Sequence, residues 1–132
     1  MGNIIFISID GNGIGKRIEA LILANRFNEL RQFSSAVSMT VCEFTNWILD
    51  HNGNVIMSGG DNLLATLPHS LVSQLYAHVA KANPFDIRFA IGYGDKACDA
   101  YLALKYAKSN NLSLVRYNSE HGFMKQDLMR TT

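Results

Sequence analysis

The fold of this chain is decided by the stretch Ile4-Ile5-Phe6-Ile7-Ser8-Ile9-Asp10-Gly11-Asn12-Gly13-Ile14-Gly15-Lys16. Its first residues are almost all apolar and mostly β-branched, which is typical of a central strand buried on both faces. The glycine-rich part that follows predicts a turn, and apolar residues recur at helical spacing from Ile14 onward. The sequence therefore places an acidic side chain, Asp10, at a strand end, directly before a glycine turn and the start of a helix.

A second acidic side chain, Asp61, lies in the stretch Ser58-Gly59-Gly60-Asp61-Asn62. Apolar runs at 54–57 and 63–67 flank this stretch. Two glycines between two such runs strongly indicate a hairpin, because glycine accepts a positive φ. Taken alone, each of the two glycine motifs is more often an ordinary turn than a functional site.

The rest of the chain alternates between helical and strand patterns. These patterns predict helices at 14–31 and 36–50 (with a break at 32–35), at 68–82 and at 97–108, and strands at 87–93 and 112–117. The order βαββαβ is the ferredoxin-like arrangement, with strand order 4-1-3-2. The predicted fold class is therefore α+β, a ferredoxin-like core with an additional C-terminal helix and strand. We expect residues 1–118 to form one domain and residues 119–132 to be a polar C-terminal tail.

Chain direction predicts that the two carboxylates meet at one edge of the sheet. The first strand ends at Asp10, and the hairpin turn that carries Asp61 reaches the same edge. The first helix begins there, so its free amides and positive dipole end face the same space. The last predicted helix ends there, which brings Lys108 to this edge, with Lys105 one turn earlier on the same side. By the same argument Asp95 falls at the opposite edge, where a turn or helix-cap role is expected.

Two carboxylates beside a glycine-lined space predict a magnesium site for phosphoryl or nucleotidyl transfer. Magnesium is usually held by one or two protein carboxylates together with substrate phosphates and water. Two familiar nucleotide motifs are excluded: a P-loop would need glycine at Asp10 and Ser or Thr at Arg17, and a dinucleotide fingerprint would need glycine at Lys16. What remains is a flexible turn that lets backbone amides approach a triphosphate.

The composition narrows the class of partner. The chain has 132 residues, 48% of them hydrophobic and 17% charged, with a net charge of +1. This balance is ordinary for a globular domain, gives no sign of a DNA or membrane partner, and leaves self-association unopposed. Cys42 and Cys98 fall in predicted helices without metal-ligand spacing, so we expect reduced, buried thiols and a cytoplasmic location.

At these residues the chain resembles the palm-type nucleotide cyclases, which include GGDEF diguanylate cyclases and the polymerase domain of type III CRISPR effectors. It is most similar to the minimal CRISPR polymerase family, mCpol, over about residues 3–111. The Gly59-Gly60-Asp61-Asn62 turn matches the GGDEF or GGDD hairpin, and Asp10 matches the metal carboxylate after the first strand. The run Ala103-Leu104-Lys105-Tyr106-Ala107-Lys108 matches the ALYxAK helix of GGDEF domains.

The resemblance implies a palm domain that converts nucleoside triphosphates into a cyclic di- or oligonucleotide with Mg²⁺ or Mn²⁺, in anti-phage signalling. ATP is the expected nucleotide and GTP the alternative. Asp10 and Asp61 would be catalytic and would bind the metal together with the carbonyl oxygen of Gly11. The expected substrate contacts are Gly11, Asn12, Gly13, Ile14, Gly15, Lys16, Gly59, Gly60, Asn62, Lys105 and Lys108. With one palm per chain, we also expect a homodimer or larger homo-oligomer.

Two positions depart from the family pattern. Asn12 stands where the CRISPR-type DGD motif has its second aspartate, and Asn62 replaces the second acid of GGDD or GGDEF. The loss of these acids predicts a weaker second metal or altered turnover. Two other functions stay open. One is a metal-dependent GTP ring-opening hydrolase, because an archaeal GTP cyclohydrolase with the palm fold has a GGDN-like turn. The other is a catalytically inactive nucleotide sensor.

Overall fold

The apolar run at the start of the chain forms a central strand. A computed structural model of the chain describes residues 3–126. Its strands are β1 (Ile4–Gly11), β2 (Asn54–Ser58), β3 (Asn62–Pro68), β4 (Phe89–Gly94), β5 (Leu114–Asn118) and β6 (Gly122–Lys125). They form one sheet in the order β2-β3-β1-β4-β5-β6, in which β1 is antiparallel to both neighbours. The predicted order of the four core strands is confirmed.

Helices cover both faces of this sheet. They are α1 (Ile14–Leu23), α2 (Phe27–Asp50), α3 (Val72–Ala80) and α4 (Ala97–Ser109), with 3₁₀ turns at His69–Leu71 and Pro84–Asp86. The main core lies on the face of α2 and α3, where Ile5, Ile7 and Ile9 of β1 are at most 1% exposed. The predicted α+β class, with an added C-terminal helix and strand, is confirmed.

Helix α4 packs closely on the opposite face of the sheet through small residues. Ala100, Ala103 and Ala107 are fully buried there. Gly92 of β4 permits this approach, because a Cβ at that position would clash with the backbone nitrogen of Leu104. The close contact fixes the direction in which the last turn of α4 points.

The break between the first two helices lies earlier than predicted. We expected it at 32–35, but the chain turns at 24–26, where Asn25 adopts a φ of 54°. Asparagine tolerates this left-handed conformation better than most residues. Helix α2 continues through 32–35 because Phe33 and Val37 are buried on the same helical face, at 1% and 2% exposure.

The hairpin between β2 and β3 is present, but its two glycines do not adopt the backbone conformation that was predicted for them. Neither Gly59 nor Gly60 has a positive φ. The Gly59 N–H donates to the carbonyl of Asn62 at 2.9 Å, and a Cβ on Gly59 would lie 2.7 Å from Asn62 Oδ1. A side chain at Gly59 would therefore meet no backbone obstacle, and only the Asn62 amide group would have to shift.

The C-terminal segment is only partly the polar tail that we expected for 119–132. Its residues 122–125 form β6, which pairs with β5, so the prediction is wrong there. The turn before β6 is held by Asn118 Oδ1, which accepts hydrogen bonds from the Glu120 and His121 amides at 2.7 and 3.3 Å. Phe123 of β6 stacks on Tyr106 of α4 with ring centroids 4.3 Å apart. Residues 127–132 lie outside the described part of the chain.

Two further sequence predictions concern the cysteines and the hydropathy of the helices. Cys42 and Cys98 lie in α2 and α4, as predicted, but both are exposed, so the expected burial is wrong. Within residues 3–126, no helix has the length and apolar character needed to cross a membrane.

Candidate functional site

Strand register brings the two predicted carboxylates together. Asp10 pairs with Asn62 in the last pair of the ladder between β1 and β3. Asp61 precedes Asn62 in the chain and therefore lies just beyond this end of the ladder. The Gly11 N–H points to the carbonyl of Asp61, with 3.4 Å between nitrogen and oxygen. Asp10 and Asp61 line one cleft with a volume of about 400 Å³. The predicted proximity of these two acids is therefore present in the fold.

Most of the predicted substrate contacts line the same cleft. Besides the two acids, its walls are formed by Gly11, Asn12, Gly13, Ile14, Gly15, Lys16, Lys108 and Asn111. A smaller adjoining cavity of about 110 Å³ shares Ile14 and Asp61 and is also lined by Gly60. Gly59 and Asn62 lie in the hairpin, where they pair with each other, and do not line the cleft.

The N-terminus of α1 supplies hydrogen-bond donors to the cleft. Gly13 caps this helix with a φ of 71°, and a Cβ at that position would meet open space. No side chain caps the helix, and its first turn contains no acidic residue. The amides of Ile14, Gly15 and Lys16 therefore have no partner within the helix, and the positive end of the helix dipole lies at the cleft wall.

Lys108 reaches the cleft from the last turn of α4. Its Nζ donates to Asp10 Oδ2 at 2.7 Å and to the carbonyl oxygen of Gly11 at 3.3 Å. The side chains of Lys108 and Asp10 are only 32% and 23% exposed, so the ion pair is partly shielded from water. Lys108 thus contacts two of the three residues that were predicted to bind the metal.

Lys105 is not part of this site, and the prediction that it faces the cleft is wrong. Its side chain is exposed, and its Nζ lies 5.4 Å from the ring centroid of Tyr101. A residue three positions earlier on a helix is rotated by about 60° around the axis. Because Ala103 and Ala107 hold α4 against the sheet, this rotation directs Lys105 away from Asp10.

Asn12 contributes a buried oxygen without a partner. Its backbone N–H donates to the carbonyl of Arg88 at 2.8 Å, which fixes the turn after β1. Its side-chain Oδ1 is buried and accepts no hydrogen bond from residues 3–126. Buried polar atoms are nearly always paired, so this oxygen is an exception within the wall of the cleft.

The donor set of the cleft fits a hard divalent cation that shares its coordination with a substrate. Among the described residues, no group of three or more His, Cys, Asp or Glu side chains is placed to hold a metal ion. The cleft instead offers the carboxylates of Asp10 and Asp61 and the carbonyl oxygen of Gly11. Oxygen-only donors and an incomplete protein shell are what Mg²⁺ takes in phosphate-binding sites.

Asn111 is a cleft residue that the sequence analysis missed. It follows α4 and adopts a φ of 54°, which turns the chain toward β5. The sequence could have identified it, because α4 was predicted to end at the edge of the sheet that carries the cleft. A residue that follows the helix within two positions lies at the same edge. Asp95, in contrast, lies at the opposite edge as predicted and pairs with Arg116 at 3.6 Å, but it does not cap α4, which starts after Lys96.

This fold and this cleft define a palm-type domain of the nucleotide cyclase and polymerase class. Residues 6–117 match the family model of the minimal CRISPR polymerase domain, mCpol. The chain therefore belongs to the mCpol family, as the sequence motifs predicted. A comparison with curated proteins gives no significant match.

Three solved structures with this fold are nucleotide cyclases. The guanylyl cyclase Cya2 is 12% identical over 80% of this chain and 73% of its own, with a TM-score of 0.60. A GGEEF domain of a diguanylate cyclase from Vibrio cholerae is 16% identical over 84% and 80%, with a TM-score of 0.56. A bacterial light-regulated adenylyl cyclase is 16% identical with a TM-score of 0.57; the match covers 86% of this chain but only 42% of that protein. Family and fold together support a function of the nucleotide cyclase or polymerase type.

Proposed function

We propose that the protein is a Mg²⁺-dependent nucleotidyltransferase that makes a cyclic di- or oligonucleotide from nucleoside triphosphates, in anti-phage signalling. ATP is the expected nucleotide and GTP the alternative. One observation supports the chemistry above all others: two carboxylates, a lysine and the free amides of a helix N-terminus line one cleft. This combination of groups binds a cation and a polyphosphate side by side.

Each group in the cleft has a distinct task in this reaction. Asp10, Asp61 and the carbonyl of Gly11 would hold Mg²⁺, for which Mn²⁺ could substitute. The bound ion would neutralise phosphate charge and lower the pKa of the attacking ribose hydroxyl. Lys108 and the first amides of α1 would stabilise the charge that develops on the phosphates as the hydroxyl oxygen attacks the α-phosphorus and pyrophosphate leaves.

The smaller cavity beside Asp61 suits the base of the nucleotide. It is lined by the apolar side chains of Phe33 and Val37 and by the hydroxyl-bearing residues Ser34 and Ser38. A nucleotide whose phosphates lie at the N-terminus of α1 can place its base there, because both cavities share Ile14 and Asp61. Ser34 and Ser38 are exposed and would offer hydroxyl groups to the base, whereas Phe33 and Val37 are almost fully buried.

Formation of a ring from two nucleotides needs a second copy of the cleft. Each chain contributes one Asp10–Asp61 pair, so we propose that two chains face each other in a homodimer or larger homo-oligomer. Light scattering in the presence of nucleotide tests this arrangement. A strict monomer that still makes a cyclic product would refute it.

The decisive experiment is incubation of the purified chain with each of the four nucleoside triphosphates and Mg²⁺, followed by mass spectrometry. A cyclic nucleotide with release of pyrophosphate is the expected result. An opened, formylated purine would instead identify the ring-opening hydrolase. Nucleotide binding without any product, unchanged in Asp61→Ala, would identify a sensor.

The residue assignment is tested with Asp61→Ala and a matched control. Asp61→Ala should reduce product formation by at least about a hundredfold, the loss typical of removing one charge-stabilising group from an active site. The control is Asp95→Ala, which removes a glycine-flanked aspartate at the opposite edge of the sheet. Normal activity in Asp61→Ala, with both variants folded, would contradict the assignment.

A further inference from the structure

The contacts of Lys108 have a direct consequence for cation binding. The ammonium group donates to Asp10 Oδ2 and to the carbonyl oxygen of Gly11, at 2.7 and 3.3 Å. A divalent cation that coordinates these two residues would use the same oxygens. Two positive groups beside one carboxylate also repel each other, and the repulsion is stronger where water is partly excluded. Cation binding at Asp10 and the contact between Lys108 and Asp10 therefore oppose each other.

The charges of the cleft act in the same direction. Its lining residues include two acids, Asp10 and Asp61, and two lysines, Lys16 and Lys108, so the formal charges balance. A divalent cation alone would leave the cleft with an excess of positive charge. A cation that enters together with a polyphosphate would not, because the phosphate charge compensates both the cation and the lysines.

We propose that Lys108 exchanges one anionic partner for another when the substrate binds. It pairs with Asp10 when no nucleotide is bound, and it moves to the phosphates when cation and nucleotide enter together. This inference rests on the proposed function, from which it takes the role of Asp10 and Asp61 in binding the cation. Lys108 thus couples the binding of the cation to the binding of the polyphosphate.

The exchange needs movement of one side chain only. Lys108 sits in the last turn of α4, and its backbone is fixed by the close packing of this helix on Gly92. Lysine has a flexible four-carbon stem. The first turn of α1 and Lys108 line the same cleft, so a phosphate held by the α1 amides is a neighbour of the ammonium group.

The first measurement is the affinity of the full chain for Mn²⁺ alone. Electron paramagnetic resonance detects the free ion during the titration. Lys108→Met should bind Mn²⁺ about tenfold more tightly than the wild type, equivalent to about 1.4 kcal/mol. Lys105→Met is the matched control, because this exposed lysine lies one turn earlier and does not line the cleft. The affinity of this variant for Mn²⁺ should equal that of the wild type. Lys108→Arg keeps the charge and should retain the wild-type affinity.

The second measurement is the affinity for inorganic tripolyphosphate at saturating Mn²⁺. Here Lys108→Met should bind about tenfold more weakly, because a phosphate ligand is lost. The two effects have opposite signs. A purely structural role of Lys108 would weaken both affinities, so the pair of measurements separates the two explanations.

The outcomes distinguish this inference from the function on which it rests. If Lys108→Met binds Mn²⁺ no more tightly than the wild type, while Asp61→Asn weakens binding, the inference is overturned and the proposed site stands. If neither Asp10→Asn nor Asp61→Asn changes Mn²⁺ binding, the proposed metal site itself fails. If Lys108→Met does not fold, the test uses the wild type alone. Equal affinity for Mn²⁺ with and without bound tripolyphosphate would then contradict the coupling between cation binding and polyphosphate binding.

Discussion

The packing of α4 on Gly92 makes the substitution Gly92→Ala a severe test of the fold and of the site together. A Cβ at this position would lie 2.5 Å from the carbonyl oxygen of Ala100 and 2.7 Å from Leu104 Cα, where ordinary contacts measure 3.4–4 Å. All of these neighbours are backbone atoms, which cannot turn aside as a flexible side chain does. Helix α4 must therefore move away from the sheet, and Lys108 moves with it.

The cost follows from the residues that this movement unpacks. Ala100, Ala103, Leu104 and Ala107 are at most 6% exposed, and the last three form a separate small core with Ala90 of β4 and Val115 of β5. Overpacking of a tight core costs roughly 1–3 kcal/mol, and here the neighbours are rigid, so we expect about 3 kcal/mol. For a chain of this size this lowers the midpoint of thermal unfolding by about 10 °C.

The assay is thermal unfolding followed by circular dichroism, with Gly15→Ala as the control. Gly15 lies in the first turn of α1, and a Cβ there would meet nothing within 4 Å. Alanine favours helix over glycine, so this variant should melt at the wild-type temperature or slightly above it. A Gly92→Ala variant that melts within about 2 °C of the wild type would refute the claim that α4 is held by backbone contact.

Two further predictions concern stability. Burial lowers the pKa of His78, opposed by Glu43 and assisted by Lys81 and His51. As the pH falls, the unfolded chain therefore takes up a proton on His78 near pH 6.5, before the folded chain does. Above this pH His78 adds no pH dependence to the free energy of unfolding, and below it the folded state becomes less stable as the pH falls. His78→Phe, which keeps a ring against Trp47, should reduce the loss of melting temperature between pH 7 and 5.5. His121 is exposed, so His121→Gln should leave the loss of melting temperature between pH 7 and 5.5 unchanged. An equal loss in the wild type and in His78→Phe would disprove the role given to His78. Asn25→Ala should destabilise by about 1 kcal/mol in urea unfolding, because alanine disfavours the left-handed φ of 54°; Asn25→Gly should stay near the wild type, and equal loss in both would contradict the backbone explanation.

The sheet and the meeting of the carboxylates could be predicted because both depend on strong and simple signals. A run such as Ile4–Gly11 has few alternatives to a buried central strand. Once the strand order is known, chain direction decides which strand ends share an edge, and side-chain detail is not needed. For this reason Asp10, Asp61 and Lys108 could be placed together from the sequence.

The errors arose where a single residue or a rotation decides the outcome. Apolar spacing is alike on both sides of Asn25, so the pattern did not reveal that one residue leaves the helical region. The rotation of α4 about its axis is set by which small residues touch the sheet, and this separates Lys105 from Lys108. Strand β6 has only four residues, too few for its alternation to outweigh the polar sequence around it.

We expect the two acids of the cleft to lie in parts of the sheet that differ in the free energy of local opening. Asp10 lies on β1, which is hydrogen-bonded on both sides, so its amide should exchange with solvent only when the whole domain unfolds. Asp61 lies in the short loop that joins β3 to the edge strand β2, and such segments open locally at little cost. If the chain binds a triphosphate as proposed, displacement of the hairpin tip would let the substrate enter and pyrophosphate leave, while the wall formed by β1 stays in place.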